Sequence, residues 1–245
     1  SGLTELLKLD SEWCKADDGY SLYIRPFIFA SSEWIKASSS DEFTFMIITS
    51  PTINYYPESI DLVIEQHFSR ATNGGVGYAK AAGNYAGSFY PTKKANARGF
   101  TQVIWTDSKE HKYIEESGTM NIWFRIDNKL ITPSLSDTIL GGITRDSILK
   151  LAIDAGIDVE ERIVSVAEIL EASKNGTLQE AFGTGTAVTV VAVQSITLED
   201  IKMNIPTQEN PISMRFKKQL QDLQYGRSED IFNWTSKVTS SITTF

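Results

Sequence analysis

The pattern of hydrophobic and polar positions predicts both helices and strands along the chain. Residues 3–13 carry apolar side chains near helical spacing. Residues 20–30 alternate as a strand does, which places Tyr23 and Arg25 on one face. Residues 43–49 are nearly all apolar or β-branched, which predicts a buried strand. Residues 50–57 contain two prolines and no clear period, so we interpret this stretch as an interdomain linker.

The rest of the chain predicts further strands among scattered helices. The predicted strands are residues 60–66, 102–106, 121–126, 130–132 and 187–196. The predicted helices are residues 86–98, interrupted at Pro91, and residues 144–155, 165–173 and 210–223. Antiparallel-looking strands mixed with helices in this way favour the α+β class.

Composition and charge narrow the possible functions. The 245 residues carry a formal net charge of -8, which argues against nucleic-acid binding or an anionic membrane surface as a partner. The single cysteine, Cys14, excludes an internal disulfide, and His67 and His111 lack a third ligand in an obvious pattern, so no metal site is expected. No signal peptide or membrane-spanning run is found, and a reducing cytosol is the predicted location.

The candidate chemistry centres on a lysine within residues 73–86, NGGVGYAKAAGNYA. Glycines allow sharp bends and close approach of the backbone to another group. The small side chains of Ala79, Ala81 and Ala82 leave room beside Lys80. An apolar cradle would desolvate the ammonium and favour the nucleophilic amine that a Schiff-base lysine needs. The alternative is a solvated lysine beside a turn.

Two small-residue turns are suited to binding an anion. Residues 140–146, LGGITRD, open a predicted helix whose free N–H groups would face a ligand. Residues 183–187, GTGTA, lead into a predicted strand with two hydroxyls and unencumbered N–H groups. The alternatives are a helix capped by Thr144 and a tight connection. Together with Lys80, the two turns fit a phosphorylated aldehyde cofactor.

Paired carboxylates, Glu115 and Glu116, precede another glycine turn. Paired carboxylates can serve acid–base catalysis, and Glu116 can hold a pyridinium N–H through a charge-assisted hydrogen bond. A solvated turn is the alternative.

These stretches, taken in order, resemble the branched-chain amino acid aminotransferases, class IV aminotransferases of pyridoxal-phosphate (PLP) fold type IV. The matching segments are residues 21–26, 74–85, 102–105, 116–121, 140–145, 183–187, 205–210 and 224–226. The resemblance implies a D-amino acid aminotransferase-like α+β fold. Residues 1–50 are expected to be a remnant of the small α/β domain, 51–58 the linker and 59–245 the large PLP-binding domain.

The resemblance implies that Lys80 is catalytic: it binds PLP covalently and carries the proton between the amino acid's Cα and the cofactor's C4′. Tyr85 corresponds to the partner of the phenolic oxygen, and Glu116 to the partner of the pyridine nitrogen. Further cofactor positions are Ile143, Thr144, Thr186 and Arg70. The substrate-side positions are Tyr23, Arg25, Thr119 and Ala187, with Tyr55 in the linker closing the pocket.

The implied reaction is transamination of leucine, isoleucine and valine with 2-oxoglutarate, giving branched-chain 2-oxo acids and glutamate, in a cytoplasmic homodimer. The family carries roughly 100 further residues ahead of this chain, on ordinary domain sizes, including an arginine for the PLP phosphate. Two alternatives follow. One is another fold type IV enzyme, a D-amino acid aminotransferase or an aminodeoxychorismate lyase, and the other is a non-catalytic fragment.

Overall fold

The computed structural model describes residues 1–15, 17, 19–53 and 58–238, and these divide into two compact units. Unit 1 is assigned residues 1–55 and 230–245, and unit 2 residues 56–229. The sequence-based boundaries had assigned all of residues 59–245 to one domain. The described residues that follow Glu229, residues 230–238, are grouped with unit 1.

Unit 1 is built on a long two-stranded hairpin. Helix α1 (Gly2–Asp10) continues into a 3₁₀ turn, Ser11–Trp13. Strand β1 (Tyr20–Ala30) then pairs antiparallel with β2 (Phe43–Ile53) along its whole length. The predicted shared face of β1 is confirmed, because Arg25 Nη2 donates to Tyr23 Oη at 2.9 Å and the guanidinium lies over the tyrosine ring.

The hairpin departs from the prediction in burial and length. The β2 segment expected to be buried is largely exposed, because no third strand pairs with β1 or β2 in the described residues. The exposed large apolar side chains of the hairpin are Ile28, Phe29, Phe43, Phe45, Met46, Ile48 and Ile53. Residues 51–53, expected in the linker, continue β2. Residues 54–57, with Tyr55, lie outside the described residues.

The described residues of unit 2 form ten strands and four helices. The strands are β3 (Ser59–Ile64), β4 (Gln102–Thr106), β5 (Tyr113–Ser117), β6 (Asn121–Ile126), β7 (Lys129–Pro133), β8 (Val159–Arg162), β9 (Val164–Ser165), β10 (Leu178–Gly185), β11 (Thr189–Leu198) and β12 (Ile201–Asn204). The helices are α2 (Ala82–Ala97), α3 (Ile143–Asp154), α4 (Val166–Asn175) and α5 (Ile212–Gln224).

All ten strands join one mixed sheet, in the order β8-β7-β6-β10-β11-β3-β4-β5-β9, with β12 paired to β11. The pairs β7–β8, β11–β3 and β3–β4 are parallel, and the other pairs are antiparallel. Large buried side chains fill the core, including Trp123 stacked on Phe182 across β6 and β10. The predicted α+β class is confirmed.

Three local predictions are wrong in a way that affects the site. The glutamates precede the glycine turn as expected, but they lie in the buried strand β5 and not in a solvated turn, because the carboxylates find partners inside the unit. Residues 183–185 end strand β10, so the predicted turn begins only at Thr186. Helix α2 starts at Ala82 and continues through a buried Pro91, which removes only one backbone donor.

The packing of α5 on the sheet predicts that replacing two different phenylalanines changes the free energy of unfolding by very different amounts. Phe216 of α5 is 0% exposed, whereas Phe89 of α2 is 68% exposed. Phe216→Ala should lower the free energy of unfolding by about 3–5 kcal/mol through lost burial and a cavity. Phe89→Ala should stay within about 0.5 kcal/mol of the parent. Urea unfolding followed by circular dichroism measures both, and equal losses would contradict the packing.

Candidate active site

The carboxyl group of Glu116 ties together three segments of unit 2. Glu116 lies on β5 and is 3% exposed. Its Oε1 accepts the N–H of Leu140 at 2.8 Å, and Asn121 Nδ2 lies 3.4 Å from the same oxygen. Its Oε2 forms an ion pair with Arg70 Nε at 3.0 Å. The carboxyl therefore joins β5, the arginine that precedes the glycine-rich stretch, and the loop that leads into α3.

A β-bulge explains why both neighbouring glutamates face this region. Trp105 of β4 pairs with Glu116, but the next residue, Thr106, pairs with Ile114. Glu115 is thus the extra residue of β5. Bulges re-aim side chains and interrupt the strict alternation of a strand. Both carboxyls then reach residues 138–140, since Thr138 Oγ1 donates to Glu115 Oε1 at 2.6 Å.

Arg70 fixes the position of the glycine-rich stretch. It is 8% exposed, and its Nη2 donates to the carbonyls of Gly77 (3.2 Å) and Thr138. A Cβ on Gly77 would lie 2.7 Å from the Asp137 carbonyl oxygen. Only glycine allows this close approach of the two backbones.

Lys80 is exposed, so the expected apolar cradle is not formed. Ala79 and Ala81 are half-buried and Ala82 is exposed, because the chain turns along the surface before α2 begins. The loop is nevertheless well held: Asn84 Nδ2 donates to the carbonyls of Val76 (2.7 Å) and Ala79 (2.8 Å). Tyr85 lies half-buried in the first turn of α2, one turn after the lysine.

The start of α3 offers backbone donors to an anion. Its N-cap is Gly142, not Thr144, and no described side chain caps the helix. The first-turn N–H groups and the positive end of the helix dipole are therefore available. Ile143 is 80% exposed and Thr144 is half-buried. Asn121 holds this start in place, since its Nδ2 donates to the Leu140 carbonyl at 2.8 Å.

Two exposed turns lie at the same end of the sheet. Thr119 is at the tip of the tight turn closed by mutual backbone hydrogen bonds between Ser117 and Met120. Thr186 and Ala187 are exposed between β10 and β11. Because Thr184 pairs with Asn121 across β10 and β6, the two turns are neighbours.

Burial and charge set the acidity of the two glutamates. Burial raises the pKa of Glu116 to about 7. The charge of Arg70, the N–H of Leu140 and the charge of Lys80 each lower this pKa, whereas the charge of Glu115 raises it. Burial likewise raises the pKa of Glu115, against its hydrogen bond from Thr138 and the charge of Arg70.

Of the predicted site residues, Arg70 contacts Glu116 directly, and Ile143 and Thr144 follow the loop whose Leu140 N–H donates to the same carboxyl. The other predicted positions of unit 2 are Lys80, Tyr85, Thr119, Thr186 and Ala187. Tyr23 and Arg25 lie in unit 1 and are described there. Sequence reasoning missed two residues that organise the site, Asn121 and Thr138. Asn121 ends the matching segment 116–121, but its bond to Leu140 spans 19 positions, so its role was not predicted. Thr138 lies outside the matching segments, and its bond to Glu115 spans 23 positions.

The described ranges offer neither a metal cluster nor a membrane-spanning helix. No cluster of three or more His, Cys, Asp or Glu side chains suited to a metal ion was found there. None of the described helices is both long and apolar enough to cross a membrane.

Comparison with known proteins identifies the family. Residues 3–196 match the family model described as amino-transferase class IV. The chain belongs to the class IV aminotransferases. This assignment agrees with the resemblance carried by the sequence motifs.

Relatives match this class IV chain along almost its whole length. Branched-chain-amino-acid transaminase 1 of Bacillus subtilis is 41% identical over 241 residues, covering 96% of this chain and 68% of the relative. Branched-chain-amino-acid aminotransferase 2 of the same organism is 40% identical, covering 98% and 67%. The crystal structure of the branched-chain aminotransferase from Thermoproteus uzoniensis with norvaline has a TM-score of 0.77 and 25% identity, covering 89% of this chain and 69% of that one.

Class IV aminotransferases use PLP, and the described residues of this member fit that cofactor. The uncapped N-terminus of α3 supplies donors for a phosphate. Glu116, with its raised pKa, is a suitable partner for a pyridine nitrogen. Lys80 provides an exposed amine for an aldehyde.

The buried Glu116 carboxyl predicts a distinctive pH dependence of stability. A pKa of about 7 in the folded state, against 4.5 as the ordinary value, means that the folded protein binds more protons between these pH values. The contribution of Glu116 to stability therefore falls as pH rises through this window. At about 1.4 kcal/mol per pKa unit, the loss is on the order of 3 kcal/mol.

Urea unfolding of the cofactor-free protein from pH 4.5 to pH 8 tests this. Glu116→Gln cannot titrate, so its stability should rise relative to the parent across the window. Glu171→Gln, which removes an exposed glutamate of α4, should run parallel to the parent. Parallel curves for Glu116→Gln and the parent would show that the pKa of Glu116 is not raised.

Two adjacent glycines before α3 give a matched pair of substitutions. A Cβ on Gly142 would lie 2.2 Å from Asn121 Oδ1, whereas a Cβ on Gly141 meets only Leu135 Cδ1, at 3.5 Å. Gly142→Ala should cost about 1–3 kcal/mol of stability by forcing Asn121 or the helix start to move. Gly141→Ala should be neutral or stabilising by up to about 1 kcal/mol. Thermal unfolding compares them, and equal effects would refute the close approach at Gly142.

Proposed function

We propose that this class IV aminotransferase transfers the amino group of leucine, isoleucine or valine to 2-oxoglutarate, using PLP. The observation that carries the proposal is 40–41% identity, over 96–98% of this chain, to relatives named branched-chain-amino-acid transaminase or aminotransferase. The site around Glu116 supports it, because its donors and its carboxyl suit the two polar ends of PLP.

The phosphate end of the cofactor would be held at the start of α3. The N–H groups of Ile143 and Thr144 point out of the helix N-terminus, where a negative charge is stabilised by the dipole. The hydroxyl of Thr186, from the exposed turn after β10, adds a further donor in this proposal.

The ring end would be held by Glu116 and Tyr85. The Glu116 carboxyl would hold a proton at the ring nitrogen, and the Tyr85 hydroxyl would donate to the phenolic oxygen. Arg70 supports this arrangement by its ion pair with Glu116 and its bonds to two carbonyls, which keep the carboxyl in place.

Lys80 is the proposed catalytic residue. PLP, when bound, draws electrons away from the Cα of an attached amino acid. The Lys80 amine would hold the cofactor at its aldehyde carbon until the amino group of the substrate displaces it there. The freed amine would then take the proton from Cα and return it at C4′. The exposure of this side chain suits that movement between two atoms.

Within unit 2, the substrate would be held by Thr119 and Ala187, on the two exposed turns. In unit 1, Tyr23 and Arg25 offer a separate group suited to a carboxylate. An exposed guanidinium already hydrogen-bonded to a tyrosine hydroxyl suits a carboxylate. A homodimer and a cytoplasmic location complete the proposal, and both rest on the family resemblance.

Replacing Lys80 tests the proposed function. Lys80→Ala should lower amino transfer from L-leucine to 2-oxoglutarate by a factor of about 10²–10⁴ or more, since it removes the acid–base group. After incubation with PLP and borohydride reduction, intact mass should show cofactor attached to the parent but not to Lys80→Ala. Lys93→Ala, at an exposed lysine of α2, is the matched control and should behave as the parent.

The substrate class is tested with the same preparation. L-Leucine should be turned over much faster than D-alanine or aminodeoxychorismate. Preference for D-alanine or the chorismate compound would assign a different fold type IV reaction. Retained labelling of Lys80→Ala would overturn the lysine assignment.

A further inference from the structure

The candidate site contains a second buried carboxyl to which the proposed mechanism assigns no role. Glu115 is 7% exposed. Its Oε1 accepts the Thr138 hydroxyl at 2.6 Å, but its Oε2 is buried without a hydrogen-bond partner in the described part of the chain. A buried ionisable group with one unpartnered oxygen is costly, so its presence needs a physical reason.

The bulge in β5 places this carboxyl on the same side as Glu116. In a regular strand, consecutive side chains face opposite sides of the sheet. Here Glu115 is the extra residue of the bulge, and its side chain reaches Thr138. The side chain of Glu116 reaches Leu140, two positions further along the same loop. Thr138 also accepts a hydrogen bond from Arg70 through its carbonyl, so it contacts both Glu115 and the arginine.

Without Glu115, the buried ion pair at Glu116 leaves no negative charge for a further cation. Arg70 carries one positive charge and forms its ion pair with Glu116. If these two were alone, they would neutralise one another, and a protonated ring nitrogen would gain little from Glu116. With Glu115 ionised as well, the cluster has one negative charge to spare for a second cation.

We propose that Glu115 is a positioning residue: held by Thr138 within electrostatic reach of Arg70, it offsets the guanidinium and leaves Glu116 able to hold a proton for the ring nitrogen of PLP. The inference rests on the proposed function for the identity of that ring. Its physical content, coupling between two carboxyls through one arginine, belongs to the protein without cofactor.

The charged groups facing the pair are consistent with this role. Arg70 and Lys80 lower the pKa of Glu116, and Glu115 raises it. For Glu115 the charge of Arg70 lowers the pKa and that of Asp107 raises it. Removing the charge of Glu115 should therefore make Glu116 a stronger acid. Removing the Thr138 hydroxyl should act in the same direction, because Glu115 then holds a proton more readily.

The test is a ¹³C NMR titration of the cofactor-free protein labelled at the glutamate side-chain carboxyl carbons. The parent should show a carboxyl titrating near pH 7 that disappears in Glu116→Gln, which assigns the signal. In Glu115→Gln this titration should move to lower pH. Glu171→Gln, an exposed control, should leave it unchanged.

A second pair of variants separates this role from general damage to folding. Thr138→Val removes the hydroxyl at nearly constant shape and should also move the Glu116 titration to lower pH. Thr138→Ser keeps the hydroxyl and should titrate as the parent does. This pair decides the question if Glu115→Gln fails to fold.

An unmoved Glu116 titration in Glu115→Gln, or equal behaviour of Thr138→Val and Thr138→Ser, would overturn the positioning role. Because no cofactor or substrate is present, these results do not depend on transamination. Loss of the proposed activity in the L-leucine assay would thus remain distinguishable from loss of the coupling.

Discussion

The burial of the Glu116 carboxyl beside Arg70 is the constraint on which the rest of the site depends. A carboxyl that is 3% exposed would be expensive without partners. Here a guanidinium, a backbone N–H and an amide meet it, each from a different segment. The same contacts that satisfy the carboxyl therefore hold the glycine-rich stretch and the start of α3 in fixed positions relative to β5.

The start of α3 is held from its other side as well. Arg145, which is 3% exposed, donates from Nη2 to the Pro133 carbonyl at 2.9 Å and to Glu161 at 2.7 Å. These contacts fix the first turn of the helix to β7 and β8. Asn121 then fixes the residues ahead of it, at a distance that only glycine tolerates at position 142. A helix start held in this way presents its N–H groups in a constant direction, as anion binding requires.

The sequence predicted what depends on local pattern. Alternation along residues 20–30 correctly placed Tyr23 and Arg25 on the same face of a strand. The family motifs pointed to Lys80 and Glu116 as candidate cofactor-binding residues. It did not predict what depends on distant contacts. The strand β5 was hidden because two adjacent glutamates resemble a solvated turn, and their partners, Thr138 and Leu140, are over 20 positions away. The exposure of β2 was also unpredictable, because burial depends on what packs against an apolar strand.

The contrast between Lys80 and Glu116 follows from the work that each is proposed to do. A group that moves a proton between two atoms of a bound substrate needs rotational freedom, which the exposed Lys80 side chain retains. A group that stabilises a charge at one ring atom benefits from a fixed position, because hydrogen-bonded burial removes the cost of reorganising it during the reaction. The backbone of the lysine loop is held by Asn84 at its carbonyls, which leaves the amine free. The fold thus holds the Glu116 carboxyl at both oxygens and the lysine loop only at its backbone, which is the division of rigidity that the proposed chemistry requires.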